Sequence, residues 1–373
     1  MKITDVITTI LNVRLPEPII DATYVIPNRS AVLVEIRTSE GISGWGEACF
    51  YGGPPEVTKQ IIDTELRSYL IGQDPMDIER LWENMYRGTV KHGRKGALIA
   101  CISGIDIALW DIRGKVLNLP VYKLLGGLRE SIPAYASGGF YSQSKDVEGL
   151  VEEVKSYVEK GFRAIKIKVG RESLTHDIQR VEAVRKAIGD DIVLMVDGNN
   201  AYMPYEAVTM GRALEELGAY WFEEPVPAED VEGCAQVAHA LDVAVAAGEN
   251  EFTRYGYRDL ILARAADILQ PDVTWCGGIT EARNIAYMAS AWNIPCVPHA
   301  FSSAICLVAN LHLNCGIPNS LFQEFDQNYN PLRSELTNEN IKIDKESHLA
   351  PPQGPGLGVT INWDCFNKYR VEE

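Results

Sequence analysis

The chain has 373 residues, 46% hydrophobic and 23% charged, enough for two domains and an ample core. Its formal net charge of −16 argues against a nucleic-acid or anionic-membrane surface, which would need basic patches that the sequence lacks, but leaves room for a small anionic substrate met by a local cation. Eight scattered cysteines without a Cys-x-x-Cys pair predict buried free thiols rather than a disulfide framework or zinc site. The lack of a signal-peptide pattern or membrane-length apolar run makes the cytoplasm the expected location.

The opening segment, ITDVITTILNV, alternates like a strand, and SAVLVEIRTSEGISGWGEACF reads as two alternating runs joined as a meander. Residues 55–127 turn helical. In LIACISGIDIALWDIRGK the apolar residues Ile105, Ala108, Leu109 and Ile112 recur at helical spacing, and Gly126 and Gly127 punctuate the end. An α+β domain is therefore expected over 1–127. From residue 132 strands and helices alternate, as in the amphipathic SKDVEGLVEEVKSYVEKGF, ended by Gly161 and followed by the strand RAIKIKV. The units continue to about residue 325. A polar stretch follows, then APPQGPGLGVTINWD, read as a Pro/Gly turn and one more strand that returns to the first domain.

Each of the later apolar runs ends in an ionisable residue: Lys166 and Lys168, then Asp197, Glu223, Glu249, Asp272, His299 and Glu324, roughly 25 residues apart. A strand plus a return helix takes about that length, and the strand ends of a βα barrel converge on one mouth. Asp197, Glu223 and Glu249 on three consecutive strands would repel one another unless they share a hard divalent cation. Oxygen ligands without His or Cys favour Mg²⁺. Lys166 and Lys168 share one strand face. Mutual repulsion and partial burial are expected to lower the Lys168 pKa and make it a base, while Lys166 stays charged and holds a substrate carboxylate.

Asp272 beside His299 would fix the imidazole tautomer and aim its other nitrogen. Glu324 would either hydrogen-bond a developing oxyanion while protonated or neutralise Lys166. Together these groups suit removal of an α-proton from a carboxylate to give an enediolate. The group across the site then either returns a proton to carbon or assists loss of a β-oxygen.

The segments GWGEA (44–48), SGIDIALWDIRGK, LLGG, the Lys-x-Lys strand, VDGNN, WFEEP, QPD, CGGIT, PHAF, QEFD and GPGLG carry a resemblance across almost the whole chain. They resemble the enolase superfamily, in the mandelate racemase-like subgroup of its mandelate racemase/muconate lactonizing enzyme family. Lys or His bases with Mg²⁺ are the known pattern of such sites. The resemblance implies an α/β fold: a modified TIM barrel, (β/α)7β, over 128–349, under a capping lid of 1–127 completed by 350–373. It implies one Mg²⁺ per subunit on Asp197, Glu223 and Glu249. It also implies Lys168 and the Asp272–His299 dyad as the acid/base groups, with Lys166, Glu324 and Asn199 at the substrate.

Lid loops at 17–29 and 50–54 are expected to set specificity, with Tyr24 and Tyr51 as candidates to cover a polyhydroxylated acid. Glu47 and Asp106 are expected to fix the lid rather than do chemistry. The implied activity is dehydration of a sugar acid to a 2-keto-3-deoxy acid. Sugar-lactone cycloisomerisation and racemisation or epimerisation of a 2-hydroxy acid are the alternatives. A non-catalytic barrel is disfavoured because no base or ligand is missing. The expected partner is a small sugar acid or lactone, with no nucleic acid or membrane, in a homo-oligomer.

Overall fold

The computed structural model describes residues 1–48 and 53–372. Its first part is an antiparallel meander of β1 (Ile3–Ile20), β2 (Val25–Thr38) and β3 (Ser43–Ala48). Along β1 the alternation predicted from sequence appears as buried Val6, Thr8 and Ile10. The helix Ala97–Leu117 packs on this sheet and is buried without interruption from Leu98 to Ile112, far more than a one-sided stripe. The reason is its position between the sheet and the helix Gly278–Ser290. The approach to β3 is close enough to require glycine: a Cβ on Gly46 would collide with the Gly104 carbonyl, and one on Gly44 with that of Ala108.

The second part is a parallel barrel of β4 (Ile132–Ser137), β5 (Ala164–Lys168), β6 (Val193–Asp197), β7 (Trp221–Glu223), β8 (Ala244–Ala247), β9 (Ile268–Leu269) and β10 (Gln323–Asp326). Their spatial order is β10-β4-β5-β6-β7-β8-β9. The seventh strand position is reduced to Cys296, which bridges Leu269 on one side and Ser320 on the other. A helix of at least ten residues follows every position but the last, which is followed directly by only the four-residue helix Pro331–Ser334, and this is the modified TIM barrel (β/α)7β. Gly161 turns out of the helix Val147–Glu159 at φ 98°, as read, and Asp146 starts that helix by accepting from Gly149 N at 2.9 Å.

Inward side chains explain how strands become a site. Ala164, Met195, Trp221, Ile268 and Val297, with Tyr135 and Ala246, form a closed apolar plug inside the barrel. Two residues further along the same faces stand Lys166, Asp197, Glu223, Gln270 and His299. The plug is thus the floor on which the polar ring rests.

The tail departs from expectation. β11 (His348–Leu349) pairs antiparallel with β4, and the following Pro/Gly segment makes only the isolated bridges Pro120–Gly356 and Thr337–Ile361. The predicted last strand is replaced by a helix, Trp363–Tyr369, which Asn362 caps by accepting from Asp364 N and Cys365 N. Proline lacks the donor a ladder needs, and Gly356 and Gly358 sit at positive φ, so the strand cannot extend. The helix packs Trp363 and Phe366 on Trp45, each at 6.0 Å between ring centroids, and Arg370 bridges Leu11 of β1.

Buried polar clasps join sheet and barrel. Glu47 of β3 accepts from the Ser302 and Ser303 hydroxyls and from Cys306 N. Asp106 accepts from Thr280 N at 2.9 Å and its hydroxyl at 2.6 Å. The described cysteines are all buried and free, and no described helix is long and apolar enough to cross a membrane.

Candidate active site

The ladder residues meet at one end of the barrel. One carboxylate oxygen from each of Asp197, Glu223 and Glu249 lies within 4.8 Å of the others. Burial, followed by repulsion from Asp197, Glu249 and Glu324, pushes the Glu223 carboxyl up to about 8 against the pull of Lys166. Glu249 Oε2 is buried without a hydrogen-bond partner. Three converging oxygens, one of them unsatisfied, fit a divalent cation. Trp221 Nε1 and Gln270 Nε2 donate to Glu223 Oε2 at 2.9 and 2.7 Å and aim this carboxylate. Neither was singled out from sequence, although each is an inward position two residues before a ladder residue.

Lys168 Nζ is hydrogen-bonded to Asp197 and stands 4.9 Å from the centroid of the Phe140 ring. The expected lowering of its pKa is reversed. Burial lowers it, as does Lys166, but Asp197, Glu249 and Glu223 outweigh both and hold it above the ordinary lysine value. Lys166 is fully buried rather than placed against the cavity. It is bonded to Glu223 and lies 3.0 Å from Glu324 and 3.8 Å from Asp197. One pleat separates the two lysines, about 6–7 Å along the strand, so Lys168 reaches the cavity while Lys166 lies below it.

His299 Nδ1 is 2.8 Å from Asp272 Oδ2, and its Nε2 lies 3.6 Å from Glu249 and 3.9 Å from Glu324. Thr274 N and its hydroxyl hold the other Asp272 oxygen at 2.7 and 2.6 Å. Burial lowers the imidazole pKa, but Glu249, Glu324 and Asp272 together push it up to about 10. Glu324 accepts from Ala300 N at 2.9 Å, and although burial raises its carboxyl, Lys166 and His299 hold it down at about 2. Of the two options for Glu324, this environment favours the ionised neutraliser of Lys166.

Lys168, Asn199, Glu249 and His299 open onto one cavity of about 710 Å³, roofed by β2 and the turn before it. Phe140 and Phe301 stack at 5.3 Å and bridge the wall between Lys168 and His299. Asn199 is buried at φ 41°, donates its backbone N–H to Asp197 at 2.8 Å and leaves its side-chain oxygen without a partner. Tyr24 lines the same cavity but is 61% exposed, at its rim, and Tyr51 lies outside the described residues.

Two further groups escaped sequence reading. Glu224, at φ 40°, is bonded by Asn200 and Asn250 at 2.7 to 3.0 Å, tying the segments after β6, β7 and β8 together. Arg29 of β2 is paired with Asp326 across the roof of the cavity.

A barrel with an acidic triad, a lysine and an Asp-held histidine at one mouth, under a lid of sheet and helices, is the architecture of an enolase-type enzyme. The chain belongs to the mandelate racemase/muconate lactonizing enzyme family: residues 3–126 match its N-terminal domain and residues 149–365 the enolase C-terminal domain-like model. It is 42% identical to an arabinonate dehydratase of Saccharolobus solfataricus over 91% of each chain. It is 37% identical to a D-galactarolactone cycloisomerase of Agrobacterium fabrum over 100% of both. A racemase from Streptomyces coelicolor solved with bound magnesium superposes with a TM-score of 0.92 at 29% identity, over 99% of this chain and 100% of that one.

Proposed function

We propose that the protein is a Mg²⁺-dependent dehydratase of a sugar acid, converting an aldonic or aldaric acid to its 2-keto-3-deoxy product. The observation that carries this reading is the facing of Lys168 and the Asp272-held His299 across one cavity, beside three carboxylates suited to a divalent ion. When bound to Asp197, Glu223 and Glu249, Mg²⁺ supplies positive charge that offsets the carboxylates now raising Lys168 and favours the second negative charge of an enediolate.

Lys168 Nζ takes the α-proton, and the C–H electron pair moves into the carboxylate to give the enediolate. Lys166 contributes a fixed positive charge from beneath, held by Glu324. His299 Nε2 donates its proton to the β-hydroxyl as the C–O bond breaks, so water leaves, and the enol product tautomerises to the 2-keto acid. Asp272 keeps the imidazole aimed throughout. Loss of a hydroxyl needs one base and one acid, a division that fits the unlike settings of Lys168 on Asp197 and His299 on Asp272 better than a two-base racemase, in which each group must also serve as the base.

Lactone cycloisomerisation by the same two groups is the second reading, favoured by the 37% identity to the D-galactarolactone cycloisomerase. The test is incubation with Mg²⁺ and a panel of sugar acids and lactones. Formation of 2-keto acids, trapped as semicarbazones, is expected from open-chain acids. Lactone consumption without that product would replace the first reading by the second.

A further inference from the structure

Besides Lys168 and His299, Arg29 is the one cationic side chain among the described residues that line the cavity. Residues 49–52 are Cys, Phe, Tyr and Gly and add no charge. Arg29 is not available to a ligand anion. Its guanidinium is ion-paired with Asp326 at the end of β10, both side chains are buried, and its Cζ lies 3.7 Å over the Phe301 ring.

Asp326 is itself locked, because its other oxygen accepts from Asn328 N at 3.0 Å and Nδ2 at 2.6 Å. Two further acids, Asp21 and Glu229, stand on the same lining.

We infer that the substrate carries a single carboxylate, as an aldonic acid or an aldaric monolactone does, and that the closed Arg29–Asp326 pair, on a lining that also holds Asp21 and Glu229, excludes the second carboxylate of an open aldaric acid. The inference rests on the sugar-acid reading above and narrows it. A second carboxylate would lose its water in a cavity whose distal cation is already neutralised, and a buried charge without a counter-ion is strongly disfavoured. The distal hydroxyls of an aldonate carry no charge and need no counter-ion.

The test compares kcat/KM with Mg²⁺ across aldonate and aldarate stereoisomers of five- and six-carbon sugars. A preference for the best aldonate of about 100-fold or more over every aldarate is expected. Comparable turnover of any aldarate overturns the inference while leaving the dehydratase reading intact. If neither class reacts and no lactone is opened, the reading itself falls, and this inference with it. Asp326→Asn keeps the shape of the side chain and releases the Arg29 charge. It is expected to raise the aldarate-to-aldonate ratio of kcat/KM at least about tenfold, and an unchanged ratio in a folded variant refutes the role given to the pair. Calorimetric titration of Lys168→Ala with the same acids gives a readout independent of turnover: aldonates are expected to bind and aldarates not, and equal binding overturns the inference.

Discussion

Lys168 and His299 sit three positions apart round the barrel and are held by different means, one by a direct bond to Asp197, the other by Asp272 behind it. If Lys168 is the base and His299 the acid, the two steps separate. Lys168→Ala is expected to lose both α-proton exchange and keto-acid formation. His299→Asn is expected to keep exchange but lose dehydration by about 10²–10⁴-fold. Proton NMR in D₂O reads the first and semicarbazide trapping the second; loss of exchange in the histidine variant would refute the split.

At this scale the sequence told much. Strand period two and the repeat length were enough to bring eight distant residues to one mouth. Depth and sign were not legible. That Lys166 lies a pleat below Lys168, and that three carboxylates outvote burial in setting the Lys168 pKa, depends on which neighbours the barrel brings together. The Arg29–Asp326 pair spans 297 positions in sequence and left no local signal at all.

Elements were legible where the apolar period was sustained and turn residues marked the ends, as in the helix Val147–Glu159. They were misread where the backbone departs from period and ladder. The seventh strand survives as one bridged residue, and the final predicted strand survives only as the bridged Ile361 before a capped helix begins at Trp363. The GWGEA motif shows what sequence alone could not explain. Its glycines are there because the helix Ala97–Leu117 lies against β3 backbone to backbone. Gly46→Ala must push that helix away, an overpacking cost of about 1–3 kcal/mol. Glu47, the next residue, carries the clasp to Ser302 and Ser303, three and four residues past His299, so displacement of β3 also loosens that clasp. The expected outcome is a urea midpoint lowered in proportion. An unchanged midpoint would mean that the contact tolerates a methyl group.

Across the whole molecule, the sheet with its helices, the barrel and the tail are joined at a point that involves none of the ladder residues. His312, in the barrel helix Ala304–Gly316, accepts from Tyr122 N at 3.2 Å through Nδ1 and donates through Nε2 to the Leu357 carbonyl at 3.0 Å. One imidazole thereby ties the end of the first part to the tail. Both nitrogens are engaged only in the neutral form, since a protonated Nδ1 would point a proton at the Tyr122 N–H. Burial lowers this histidine to about 4 from an ordinary value of 6.5, with the Leu357 bond opposing.

The unfolded chain therefore binds this proton more readily than the folded one. The stability is present in full above pH 6.5 and is lost as pH falls from there toward 4. The loss from this residue alone amounts to about 2 kcal/mol by pH 5. His312→Gln, which cannot titrate, is expected to be less stable than wild type at pH 7.5 but to lose about 2 kcal/mol less on acidification to pH 5. Urea unfolding of both proteins at the two pH values measures it as a double difference, in which the other titrating groups cancel. Equal acid sensitivity in the two proteins would show that the junction opens, or that His312 gains a proton acceptor, before the fold is lost.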